Sequence, residues 1–496
     1  MLIVDRMQRG KLALFLCGFV FCIAVITYLW NLNTLPFVDY DEATYAQVSD
    51  HTQDSGDLLT LRRYGEPWFE KPPLYFWMSG VTTSIFGKHE YAYRLPSVVM
   101  ALLALVFLWL IVRRLSGDAL RASFATLVLL SWPFYYLAAR QVRLDIPVIA
   151  MILASLAALV YGSRKQQWLI AVMPAIAFGF MLKSFIALLA LPVLAVFSLV
   201  YREWRWLRSR YLWYGSAAAL LIVVPWHAYE VQQWGSEFVS VYFGFHFFER
   251  AIGGIGQNAG FQLFAYVRQL WYYGQPWAIV TFGAVIAYGS LRVLRRQPTD
   301  RDRLLEASLV TMIVIVLLFG FAQTRILTYL LPAFPFAAIV IASAAAALWR
   351  SFRNRFVQVT VAILFVVAFG YSVSLGSGTD PRVISSMYSE WVPTQKAIGQ
   401  IVRGSATPEA HFYIMEWPQH ETLRYYSGKE LEFVGFPPPE GFVLHAPWFL
   451  MLTNIHIPFF LDSDGSARKE YEHIEIRYAS EGGQVFLFYG VEDTVL

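Results

Sequence analysis

Apolar residues along the chain come in runs of bilayer-crossing length, at roughly 12–30, 92–112, 119–138, 146–162, 168–182, 184–200, 211–229, 271–291, 304–322, 326–348 and 356–375. Polar connectors separate them, so the pattern predicts about eleven transmembrane helices. The first run is long enough to span and has no small-residue cleavage site close behind it, which predicts a retained first helix rather than a cleaved signal. Beyond residue 376 the pattern changes. "HFYIME", "LEFVGF", "PWFLMLT", "EIRYAS" and "QVFLFYG" are short and β-rich, with helical patterns near 387–403, 420–427 and 466–473. The expected organisation is a polytopic α-helical membrane domain over 1–376, with a long loop at 31–91, followed by a small soluble α/β domain over 377–496.

Composition agrees with that pattern. Of the 496 residues 57% are hydrophobic and 15% charged, with a mean hydropathy of +0.47, which excludes an ordinary soluble globular protein. Cys17 and Cys22 both lie in the first apolar run, so no disulfide framework or thiolate metal site is expected.

Charge supplies the orientation. The connectors 1–11, 113–121, 163–167, 201–210, 292–303 and 349–355 together hold twenty Lys and Arg and belong in the cytoplasm by the positive-inside rule. The alternate connectors then open on the outer side: the loop 31–91, "LAARQVRLD" at 137–145, the tip around Lys183, the loop 230–270 and "AQTR" at 322–325. An odd helix count also sends the tail outside, where it carries eight Lys or Arg against sixteen Asp or Glu. Nothing in this distribution calls for a nucleic-acid partner.

The outer connectors hold the candidate chemistry. "DYDEATY" places Asp39, Asp41 and Glu42 beside Tyr45, and 42–53 fits a short helix with Asp41 near its cap. "YGEPWFEKPPLYFW" sets Glu66, Glu70 and Lys71 among Tyr64, Trp68, Phe69, Tyr75 and Trp77, aromatics that suit the headgroup layer. "RQVRLDIP" puts Arg140, Arg143 and Asp145 at a helix boundary, where a charge is costly unless paired or facing a polar cavity; an Arg143–Asp145 pair is the simplest structural account. Lys183 stands alone between two apolar runs, and "FGFHFFER" carries His246, Glu249 and Arg250. His246 and Glu249 supply only two ligands, short of a metal site. Arg325 adds a further cation. Converging, these cations and carboxylates would make an anion site at the lipid interface, fitted to a phosphate with an apolar tail.

"DYDEATYAQ" with "SGDLLTLRRYGEPWFEKPPLYFW" resembles the signature of the ArnT-like glycosyltransferases, the aminoarabinose transferases of Gram-negative lipid A modification. These are bacterial relatives of the protein O-mannosyltransferases in the GT-C class. "RLPS" at 94–97, "RLDIP" at 143–147, "PWH" at 225–227 and "TYLLPAFP" at 328–335 extend the similarity over most of the membrane region. The resemblance implies a polyprenyl-phosphate sugar as donor and a lipid A, glycan or protein acceptor at the periplasmic face of the inner membrane. It places Asp41 and Asp145 in the active site with Glu42 beside them. Lys71, Arg250, Lys183 and Tyr329 would hold the donor phosphate, with Tyr45 and Glu70 nearby; Arg143, Arg325 and His246 stay binding candidates from the residue pattern alone. No cofactor is called for, because the cations neutralise the leaving group. The chain departs from the family at Thr44, where Arg is common, at Lys183-Ser184, where the family has "KG", and at Arg325, where it has Lys. Two alternatives stay open: transfer of another sugar to glycan or protein, and a flippase for lipid-linked sugars.

Overall fold

In the computed structural model the described residues are 2–38, 40–244, 268, 274–294, 302, 303–320, 327–351, 355–376, 391–405, 407, 409–415, 420–439, 441–453, 456, 460, 474–480 and 485–496. The chain falls into two compact units. One comprises 1–32 and 48–383, the other 33–47 and 384–496. The sequence suggests a single boundary near 377, with the whole first loop on the membrane side; instead, 33–47 groups with the tail.

The first unit is helical. In chain order it contains α1 (Leu2–Leu29), the later part of α2 (Asp41–Ser55), α3 (Leu74–Phe86), α4 (Glu90–Ser116), α5 (Ala119–Ser131), α6 (Pro133–Ala139), α7 (Asp145–Gly162), α8 (Val172–Lys183), α9 (Ala190–Tyr201) and α10 (Arg210–Phe238). Then come α11 (Trp277–Leu294), α12 (Arg303–Gly320), α13 (Phe334–Ser351) and α14 (Arg355–Gly376). A two-stranded ribbon, β1 (Arg62–Arg63) and β2 (Glu66–Pro67), sits in the long loop. Every apolar run carries a helix. Among the described residues, five helical stretches are long and apolar enough to cross a bilayer: 90–116, 145–162, 166–201, 303–320 and 328–347.

Two of the runs differ in detail from straight spans. The run 119–138 breaks at Pro133 and turns by 73° between α5 and α6. Proline has no N–H to donate and excludes Trp132 from the helical region, leaving it extended at ψ 114. The stretch 166–201 folds back on itself. Gln166 and Leu169 at its start line the same cavity as Phe197, Ser198 and Tyr201 at its end, which a continuous helix of 36 residues, about 54 Å long, would forbid. The reversal is the 3₁₀ segment Ser184–Leu189, with Lys183 at the turn. Gly179 lies close against it: a Cβ there would be 3.0 Å from the Ala187 Cβ.

In the second unit, the five runs expected to be strands form one sheet. These are β3 (His411–Ile414), β4 (Glu432–Phe433), β6 (Trp448–Thr453), β7 (Glu475–Ala479) and β8 (Val485–Gly490), ordered β4-β3-β6-β8-β7. β3 runs parallel to β4 and β6, and β8 antiparallel to β6 and β7. β5 (Val443–Leu444) and β9 (Thr494–Val495) make a separate pair. β6 is buried along its whole length, as a central strand covered on both faces must be. One face packs under α15 (Trp391–Arg403) and α16 (Glu421–Ser427) through Ile398, Val402, Leu423, Phe412 and Met451. The other buries Tyr413, Trp448, Leu450 and Phe488. The helical pattern near 466–473 lies outside the described residues.

Candidate active site

At the start of α7, Asp145 is buried, and its Oδ1 accepts a hydrogen bond of 2.6 Å from Lys183 Nζ at the end of α8. The two side chains are 6% and 14% exposed, so little water screens the pair. The expected Arg143–Asp145 pair is therefore corrected. Arg143 is only two residues before Asp145 but directs its Nε to Gln141 Oε1 at 2.8 Å, while the α8 turn delivers Lys183 to the carboxylate from another helix. Lys183 is followed by Ser184 at φ 58 and ψ −139, a conformation that favours glycine and costs a side-chain-bearing residue about 1–3 kcal/mol. The tip therefore carries strain at the residue after the cation, partly offset by a hydrogen bond between the Ser184 and Tyr242 side chains.

A hydrogen-bonded chain holds the α7 start in place. Ser97 Oγ in α4 bonds both the N–H and the carbonyl oxygen of Arg143, each at 3.2 Å. It also lies 2.8 Å from the Tyr75 hydroxyl, which donates to the Tyr93 carbonyl oxygen at 3.1 Å. "PLYFW", "RLPS" and "RLDIP" thus meet at one serine. Tyr75 was expected in the headgroup layer with Trp68 and Phe69, but the structure buries all three: a phenol with two internal hydrogen-bond partners gains nothing from the interface. Arg94 is 2% exposed and donates to the Leu32 carbonyl oxygen at 2.8 Å.

Lys71 is nearly buried just before α3, where Pro72 and Pro73 restrict the backbone. Its ammonium donates to the Glu70 carbonyl oxygen at 3.1 Å and lies 3.9 Å from Glu70 Oε2. Tyr329 lies in the 3₁₀ turn Leu327–Ala333 and stacks on Phe319 at 5.2 Å.

Asp41, Glu42 and Tyr45 belong to the other unit. The helix expected at 42–53 runs from Asp41 to Ser55, placing both acids in its first turn, where the helix dipole favours negative charge. Glu42 is buried and its Oε2 accepts the Val38 N–H at 3.0 Å, so part of this carboxylate's capacity holds the incoming turn. Asp41 is half-buried and Tyr45 buried. Within that unit, Phe37 packs edge-on against Tyr425, its N–H is 3.1 Å from the Tyr426 hydroxyl, and Gln47 donates to the Glu421 carbonyl oxygen at 3.0 Å. Asp39, His246, Glu249, Arg250 and Arg325 lie outside the described residues.

Beyond naming Tyr75 among the aromatics, the sequence reading gave no site role to Ser97, Tyr75, Arg94 or Glu230. The first three stand inside motifs, and the signal for them was a polar residue within an otherwise apolar run. Glu230 is fully buried in α10, just past the apolar run 211–229. Among the described residues its Oε2 takes only a long 3.4 Å hydrogen bond from Thr60, and Oε1 has no partner. Burial pushes its carboxyl up to about 7, opposed by the Thr60 hydrogen bond. Asp50, in the part of α2 that belongs to the first unit, is also raised by burial, although the Tyr93 hydroxyl donates to it.

Residues 70–229 match the dolichyl-phosphate-mannose-protein mannosyltransferase family. The undecaprenyl phosphate-alpha-4-amino-4-deoxy-L-arabinose arabinosyl transferase 1 of Sodalis glossinidius (strain morsitans) is 30% identical over 405 residues, covering 78% of this chain and 69% of the relative. The chain belongs to this family of membrane glycosyltransferases. The corresponding enzyme of Serratia proteamaculans is 27% identical over 396 residues, spanning 77% of this chain and 68% of its own length. The fold agrees. ArnT from Cupriavidus metallidurans, crystallised with undecaprenyl phosphate, superimposes with a TM-score of 0.68 at 20% identity, over 96% of this chain and 98% of that one. The fold is therefore that of the GT-C membrane glycosyltransferases.

Proposed function

We propose that this ArnT-like chain transfers a sugar from an undecaprenyl-phosphate carrier to lipid A or a related envelope acceptor, at the periplasmic face of the inner membrane. Eleven crossings would put the Asp145 end of the helices and the α/β domain on that face. The observation that carries the reading is the largely buried Asp145–Lys183 pair, an ammonium and a carboxylate held together where two helices reverse. Such a cation is ready for an anionic ligand without solvent reorganisation. The relatives named above support the choice of carrier.

In an inverting displacement the bond from the anomeric carbon to the carrier phosphate breaks, and a bond to an acceptor oxygen forms on the opposite face of the sugar. The carrier phosphate keeps the electron pair and gains negative charge. Lys71 and Lys183 stabilise that charge, with Arg250 and Tyr329 assigned to the same task by the family resemblance. Asp145 holds Lys183 in position and lowers the cost of its burial. For a hydroxyl acceptor, Asp41 takes the proton. A phosphate acceptor is already anionic, and Asp41 then stabilises the developing positive charge on the sugar.

The test is transfer by the purified full-length protein, using undecaprenyl-phosphate aminoarabinose and lipid A, with carrier release measured alongside sugar transfer. Lys71→Ala should lower turnover about a hundred-fold. Wild-type turnover in that variant would overturn the phosphate site. Movement of the donor across the bilayer with its glycosidic bond intact would assign a flippase instead.

A further inference from the structure

At the opposite end of α7 from Asp145, a cavity of about 320 Å³ opens between the ends of α4, α7 and α9 and the short 3₁₀ stretch Gln166–Ala171 that leads into α8. The 18 residues of α7 separate it from Asp145 by about 27 Å, nearly the thickness of a hydrocarbon core. Its inner wall is apolar, formed by Leu115, Leu159, Leu169 and Phe197. Its rim is polar and basic, formed by Arg164, Gln166, Glu203 and Arg205.

The rim charges are not equivalent. Arg205 spends its fork on Glu203, with Nε and Nη2 each 2.8 Å from a carboxylate oxygen. Arg164 has no carboxylate partner among the described residues. Its charged neighbour is Arg114, at the end of α4 and within electrostatic reach of it. Arg114 adjoins Leu115 of the cavity lining; like charges within reach of each other repel, and an anion held near both would remove that cost. Trp206 on the cavity wall and the half-exposed Trp168 beside Tyr161 are aromatics of the kind found at headgroup depth.

We propose that this cavity binds the phosphate headgroup of an anionic phospholipid, with Arg164 and Arg114 on the phosphate and the first methylenes of the acyl chains against Leu115, Leu159 and Phe197. The inference rests on the orientation given under the proposed function, because the Lys- and Arg-rich connectors put this end on the anionic cytoplasmic leaflet. An amphipathic cavity with a phosphate-binding rim fits a lipid, whereas a soluble organophosphate has no use for the apolar wall.

The probes are dioleoyl phosphatidylglycerol and dioleoyl phosphatidylcholine, added to delipidated full-length protein in detergent and counted by native mass spectrometry. Phosphatidylglycerol should be retained in preference. Arg164→Gln and Arg114→Gln should each reduce its retention about five-fold, and leave phosphatidylcholine unchanged. Arg164→Lys, which keeps the charge, should keep the lipid, separating loss of the site from loss of the fold. Sugar transfer by these variants should stay at the wild-type rate, since the cavity lies a membrane thickness from Asp145; the inference and the transfer reaction therefore fail independently. Equal phosphatidylglycerol retention in the wild type and the Arg114→Gln/Arg164→Gln variant would overturn the proposal. Displacement of the lipid by glycerol 3-phosphate at matched concentration would also overturn it and assign the site to a soluble phosphate.

Discussion

Helix α7 carries charged groups at both ends, and the two ends treat them in opposite ways. At its start, a buried Asp145 and a largely buried Lys183 are bonded to each other at 2.6 Å. Past its other end, Arg164 is exposed with another arginine as its charged neighbour. Burial accounts for the difference. A buried ion must have a partner to offset desolvation, whereas at a wet membrane surface a cation remains tolerable, and available, without one. One end is therefore organised before a ligand arrives, while the other is completed by one.

The largest expected effect breaks the organised end. Lys183→Met leaves Asp145 as an uncompensated buried charge and should destabilise the protein by about 3–5 kcal/mol, read as a fall in melting temperature in detergent. Adding Asp145→Asn should restore most of that stability and none of the transfer, separating the pair's structural worth from its chemical one. If the double variant regains transfer, the pair serves the fold alone.

Next in size is pH. Glu230 ionises near 4.5 when unfolded and near 7 in the fold, so the folded state binds the extra proton between those values. Its contribution is complete below about pH 4.5 and is lost as pH rises through 7, at most about 3 kcal/mol in all. Glu230→Gln should flatten that part of the melting-temperature profile. An unchanged profile would show that Glu230 is ionised in the fold.

Ser97→Ala removes the hydroxyl bonded to the Arg143 backbone and should cost about 1–3 kcal/mol. It should lower turnover more than it raises KM, because it displaces the start of α7 while leaving every charged group in place. Smallest is Ser184→Gly, which relieves the positive φ and forfeits the Tyr242 bond; a net gain of no more than about 1 kcal/mol is expected.

Much of this architecture was legible in the sequence. Apolar runs located the helices because a long apolar run has few stable alternatives to a helix. Short, β-rich apolar runs located the tail strands. Ordering those strands as β4-β3-β6-β8-β7 required the structure, because pairing depends on contacts between distant segments. The residues of the candidate site were legible by type: an aspartate opening an apolar helix and a lysine between two runs were both singled out. That they bond to each other was not, because a neighbouring arginine offers the same charge at a shorter separation along the chain, and only the α8 reversal shows which cation arrives. The internal roles of Tyr75 and Ser97 were hidden for a related reason. A polar group inside an apolar run looks like an exception until its partner on another helix is seen.

The grouping of residues 33–47 with 384–496 bears on how this chain can be cut and recombined. The segment that carries Asp41 and Glu42 has its packing partners in Tyr425, Tyr426 and Glu421, hundreds of positions downstream. A truncation at 377 would thus strip the support from a turn near the N-terminus while leaving every residue of that turn in place. For anyone building hybrids among related transferases, the exchangeable module is discontinuous: a transplanted tail needs its own version of 33–47 to travel with it.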